Sequence, residues 1–215
     1  MDSVSGGEDA EATIVVLEAL AHSLERMVVR NELVASEEGT EAEKKSRGLA
    51  AFRGAQPPGI DLRKYMERLH RYTRCSASCF VVSYVYIDRA AHQHPSSAVV
   101  SRNVHRLVLT GLLLASKFLD DTHRNNAFFA KVGGVCNGEL NRMELELLFL
   151  LDFNLVVGWR EFETYCRHLN VDMGKLMPTK DVETRVSTKI INTDQVEVFL
   201  NGLAPSASHR RSIDL

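Results

Sequence analysis

The most apolar stretch of the chain is SRNVHRLVLTGLLLASKFLDD, residues 101–121. At 100° per residue, Val104, Leu107, Val108, Gly111, Ala115 and Phe118 form one stripe, while Leu109, Leu112 and Leu113 occupy the other sides. A helix that is apolar all round is a buried helix, so this element is expected in the middle of a bundle. Residues 139–153, ELNRMELELLFLLDF, repeat the pattern from Leu147 to Leu151. Residues 61–74 set Leu62, Tyr65, Met66, Leu69 and Tyr72 on one side of a helix. Residues 76–91 open with Ser76, which suits N-capping, and carry Phe80, Val81, Val82, Val85 and Ile87. Their β-branched content makes a strand the local competitor, but the length without turn signals favours helix, ended before Pro95. A short helix is expected over 126–133 around Phe128 and Phe129, stopped by Gly133–Gly134, and a last one over 158–170 with Trp159, Phe162, Tyr165 and Leu169.

Toward the N-terminus, Ile14, Leu17, Leu20, Leu24, Met27 and Val28 predict an amphipathic helix over 11–31, after a disordered start at 1–10. Residues 35–59 are charged and close on Pro57–Pro58–Gly59, the composition of a linker or surface excursion. Beyond Gly174 the apolar density falls, and 174–215 read as a mostly flexible tail. The expectation is an all-α chain: an N-terminal helix and linker over 1–59, a helical domain over 60–173, and the tail.

Hydrophobic residues make up 45% of the 215 and charged residues 25%, enough to build a core and to exclude wholesale disorder. A formal charge of −2 argues against a nucleic acid as main partner, since phosphate binding needs a concentrated basic surface. The start of the chain lacks a signal-peptide pattern and no apolar run approaches the roughly 18 residues of a membrane span. A soluble intracellular protein, nuclear or cytoplasmic, is expected. Cys75, Cys79, Cys136 and Cys166 form no CxxC pair and read as buried thiols.

Catalytic constellations are missing from the sequence. Glu67–x–x–His70 has the spacing of a di-iron ligand pair, but such sites need two copies and two further glutamates. His92, His94 and His123 could meet a metal only at a loop surface, without a partner carboxylate. No phosphate-binding glycine loop and no HExxH occurs. No enzyme, cofactor, metal or small-molecule substrate is expected.

Lys117 and Glu144 stand out as charges on helices otherwise apolar nearly all round, and such residues are rarely buried unless paired. One reading puts each at the rim of the bundle, reaching water. The other notes that Leu114, Lys117, Phe118 and Asp121 share a face, as do Glu144, Leu147, Leu148 and Leu151. Two such helices side by side would show an apolar patch with a cation on one side and an anion on the other, a docking surface. Asp120 and Asp121, acids at a helix C-terminus, are unfavourable there and point to an outside cation.

The stretch LLLASKFLDD, 112–121, resembles the third-helix motif of the cyclin box, with Lys117 at its lysine. NRMELELLFLLDFNL, 141–155, is similar to its fifth helix, with Glu144 at its glutamate and Phe153 in the Phe-x-Leu ending. ERLHRYTRCSASCFVVSYVYIDR, 67–89, resembles the first two helices of a narrower group, the plant P-type or U-type cyclins, similar to fungal phosphate-signalling cyclins. The resemblance spans roughly 45–173. It implies a five-helix box around a buried central helix and a cyclin-dependent protein kinase as partner. In the family the matching lysine and glutamate hydrogen-bond main-chain groups near the kinase C-helix. By position Lys117 and Glu144 take that role, Leu114, Phe118, Leu148 and Phe153 supply apolar contact or its support, and Asp120 faces a basic kinase group. The segment IDLRKYMERL, 60–69, lacks the Met-Arg…Leu…Trp pattern with which many cell-cycle cyclins dock substrates. The rival reading is a helical adaptor that uses the same box to hold something other than a kinase.

Overall fold

Short polar side chains set the helix starts. Asp61 accepts from the Lys64 amide at 3.2 Å, Ser76 from the Cys79 amide at 3.4 Å, and Asn125 from the Phe128 amide at 2.9 Å. Cys136 does the same with its sulfur, 3.3 Å from the Glu139 amide. A computed structural model describes residues 5–38, 49–94, 98–120 and 124–171, of which 5–12 and 36–38 are described by their backbone. The described residues form seven α-helices and no strand: α1 Ser5–Glu38, α2 Leu62–Thr73, α3 Ala77–Gln93, α4 Val104–Leu119, α5 Asn126–Gly133, α6 Asn137–Leu150 and α7 Trp159–His168. A 3-10 turn spans Ala50–Phe52. The all-α expectation is met.

The helix stops also follow local chemistry. Gly134 sits at φ 75°, the left-handed conformation that closes α5 and that only glycine adopts freely. His94, just before Pro95, is pushed out of the helical region to φ −125° and ends α3.

Helix α4 is the hub. From Val104 to Ser116 it is buried on every side except at Arg106. It packs most extensively on α3 and also touches α2, α5, α6 and the 3-10 turn. The α3–α4 crossing is close because Gly111 has no side chain. A Cβ there would lie 2.6 Å from Ser83 Oγ and 3.2 Å from the Ser83 carbonyl oxygen. Helix α1 lies across α2 and α3, and α7 lies on α3. Arg89 locks α7 down: its guanidinium donates to both carboxylate oxygens of Glu161, at 3.1 and 2.6 Å, and to the carbonyls of Asn154 and Val156. This is the bidentate geometry in which arginine outperforms lysine.

Four details differ from the sequence expectations. Helix α1 begins at Ser5, inside the segment expected to be disordered, and runs on to Glu38. Within it Ile14 is exposed, and Val16 takes its place in the core. Leu49 and Phe52, in the stretch expected to be a surface excursion, are fully buried. Two apolar residues in a charged segment have no period to betray them. Arg102 and Arg106 hold this stretch through the carbonyls of Gly54, Ala55 and Arg53. Finally, Cys136 is exposed, unlike the other three cysteines. Burial pushes the Cys75 and Cys166 thiols up to about 11, so neither is a ready nucleophile. The expected tail at 174–215, Asp121 and His123 lie outside the described residues.

Candidate functional site

Helices α4 and α6 pack side by side, and this brings together the two charges that the sequence left apart. Lys117 Nζ lies 2.5 Å from Glu144 Oε1. Glu144 has no exposed surface, and the Lys117 side chain keeps 15%. The other oxygen of Glu144 accepts from Asn126 Nδ2 at 2.6 Å, and the same amide donates to Asn141 Oδ1 at 2.8 Å. Neither a separate pair of rim charges nor an anion facing outward is what forms. A buried carboxylate is doubly satisfied and fixes a lysine at the surface. Lys117 stands in the last turn of α4, where the helix dipole favours a cation. A charge this deeply buried is retained only if paired and hydrogen-bonded, as Glu144 is.

The expected apolar residues divide by depth. Leu114 and Leu148 are fully buried and can only support the surface from beneath. Phe118 and Phe153 are partly buried and pack on the core. The apolar surface itself belongs to two residues that the sequence reading did not single out, Leu145 at 39% and Phe149 at 63% exposure. They stand one turn apart on α6, and Phe149 meets Phe153 edge-to-face with centroids 5.2 Å apart. Leu145 also borders a hollow of about 400 Å³ lined by Lys117, Asn125, Asn126 and Asn141. The all-round apolar pattern of α6 hid this, because periodicity cannot tell which side the other described helices leave uncovered. Asn126 was equally hidden, since an Asn at a helix start reads first as a cap.

Asp120 is half-buried at the end of α4. Its backbone N–H closes the helix on the Ser116 carbonyl, and its charge acts on the Cys79 thiol. Burial first, and then the Asp120 charge, push the Cys79 thiol well up.

The remaining polar groups go to structure. Glu67 pairs with Arg63 at 3.0 Å, and His70 faces the Cys75 carbonyl at 3.2 Å with its ring edge on Phe80. His92 is held by Asp88 of its own helix. Among the described residues no group of three potential ligands could hold a metal, and no helix is long and apolar enough to cross a membrane.

Comparison with known proteins matches the chain to a family. Residues 14–155 match the model of the cyclin family, from within α1 through α6. The chain is 54% identical to Cyclin-U1-1 of Arabidopsis thaliana over 175 residues, 80% of this chain and 81% of that protein. It is 51% identical to Cyclin-P1-1 of Oryza sativa subsp. japonica over 158 residues, 71% of this chain and 60% of that one. It is 40% identical to Cyclin-U4-1 of Arabidopsis thaliana over 178 residues, 83% of this chain and 86% of that protein.

Proposed function

This chain belongs to the cyclin family, whose members are regulatory proteins and not enzymes, and on that premise we propose that it binds and activates a cyclin-dependent serine/threonine kinase through the face formed by α4 and α6. What carries the reading is the Lys117–Glu144–Asn126 cluster beside exposed Leu145 and Phe149. An apolar middle supplies contact area, and a fixed cation at its edge sets register. Lys117 hydrogen-bonds main-chain carbonyls near the kinase C-helix. Glu144 acts through Lys117, and Leu114, Leu148, Phe118 and Phe153 hold the surface in shape. Asp120, at the end of α4, faces a basic group of the kinase. The place of action is the nucleus or the cytoplasm.

Activation is a population shift. A kinase C-helix alternates between inward and outward positions, and a partner that binds only the inward one favours it. The inward position lets the kinase's own Lys–Glu pair form over ATP. Each charge-assisted hydrogen bond from Lys117 contributes about 1.5–3 kcal/mol.

The test is a pull-down from plant extract with kinase activity assayed on the bead. Wild-type chain should retain a histone-phosphorylating kinase, and a folded Lys117→Met, Glu144→Met double variant should retain little. Equal activity on both beads would overturn the assignment.

A further inference from the structure

Away from the Lys117 cluster, helices α2 and α5 enclose an open groove of about 700 Å³. Its rim is basic. Lys64, Arg68 and Arg71 project from α2 and Lys131 from α5, all exposed. Its floor is apolar, with Phe128 and Val132 of α5 beside Tyr72, which is 55% exposed. Arg124 adds a fifth cation, stacked 5.2 Å over the Phe128 ring.

Three facts make this more than a solvated face. First, the protein carries a formal charge of −2, so the cations are concentrated against the overall balance. Second, their acids are missing. Glu67 is the carboxylate lining the groove, and Arg63 already holds it. None of the five cations forms an ion pair among the described residues. Third, the placement works against the helix. Lys64 sits in the first turn of α2, at the positive end of the dipole, and the acid there, the N-cap Asp61, accepts from the Lys64 backbone amide rather than pairing with its ammonium. Lys64 and Arg68 are four apart and Arg68 and Arg71 three apart, like-charge spacings that destabilise a helix. An arrangement that costs the free protein something is relieved by an anion.

We propose that the groove between α2 and α5 docks an acidic polypeptide segment carrying a large apolar side chain. The cations from Lys64 to Arg71 span about 10 Å of helix. That spread suits several carboxylates along an extended segment better than one compact anion. The apolar floor between them takes the side chain, and Tyr72 and Phe128 offer ring faces to it. Basic segments are repelled by the same rim.

The test uses the full chain alone, so its outcome does not depend on whether a kinase binds. The probe is a short fluorescein-labelled peptide of Glu and Asp with one central Phe, titrated by anisotropy at low salt. Its comparisons are a Lys/Arg peptide with the same Phe, the acidic peptide with Ser in place of Phe, and single-stranded DNA of equal charge. The acidic Phe peptide should bind about tenfold more tightly than the basic one and lose affinity as salt rises. Arg68→Glu with Arg71→Glu should weaken it about tenfold, as should Lys64→Glu with Lys131→Glu, helical content unchanged. Reversing two exposed charges elsewhere, Arg142→Glu with Arg160→Glu, should leave it unaffected. No binding of the acidic peptide, an equal loss in the control variant, or tighter binding of the DNA would each overturn the proposal.

Discussion

Replacing Lys117 by methionine removes a charge of which only 15% is exposed and leaves Glu144, fully buried, with Asn126 as its remaining donor of those described above. Removing one partner of a buried ion pair costs about 3–5 kcal/mol, because the other charge is left uncompensated. The surviving Asn126 hydrogen bond places Lys117→Met at the lower end, about 3 kcal/mol. Glu144→Met costs less, about 1–2 kcal/mol, since the lysine near the surface can turn to water. The double variant replaces the pair by two apolar chains of similar volume, a change that is often neutral. It should come within about 1 kcal/mol of wild type, for a coupling energy of about 3 kcal/mol. Urea unfolding followed by far-ultraviolet circular dichroism reads this. With a slope of about 2 kcal/mol per molar, Lys117→Met should lower the midpoint by about 1.5 M and the double variant should regain most of it. Single effects that simply add, with a coupling below about 0.5 kcal/mol, would refute the reading of a buried, mutually dependent pair.

Two further outcomes follow from the packing. Gly111→Ala should destabilise the chain by about 1–3 kcal/mol in the same unfolding assay, since the new Cβ meets Ser83 at 2.6 Å in a crossing that cannot widen freely. His105 should make stability depend on pH. Burial lowers its pKa below 6.5, against the opposing hydrogen bond to the Ile60 carbonyl and the Asp61 charge, so the unfolded chain takes up its proton more readily. Stability should be full above pH 6.5 and fall as pH drops from there toward the lowered folded value, and His105→Gln should flatten that slope.

How far the sequence could be read depends on which contacts are local. Helices α2 to α7 were legible because their caps and stops are local chemistry: Asp61, Ser76, Asn125 and Gly134 act within four residues. The hub role of α4 was legible because burial on all sides leaves an all-round apolar pattern. Contacts between distant segments were not. Lys117 and Glu144 are 27 residues apart, and each alone reads as a rim charge. Phe149 lay in a run of leucines whose sides are equivalent in sequence, and it is exposed because no helix among the described residues covers it. Leu49 and Phe52 reach the core through backbone contacts with Arg102 and Arg106, which no periodicity reports.

The double methionine variant also separates folding from recognition, which makes the α4–α6 face open to a direct measurement. The most direct is titration calorimetry of the purified chain with a recombinant plant cyclin-dependent kinase, comparing wild type with Phe149→Ala. Phe149 is 63% exposed in the free chain, so the substitution costs the monomer little beyond its edge-to-face contact with Phe153, about 1 kcal/mol. Burying that surface in a complex is worth about 1–2 kcal/mol, so the account predicts a Kd weakened roughly 5- to 30-fold. A kinase bound equally well by both chains, or by neither, would contradict it.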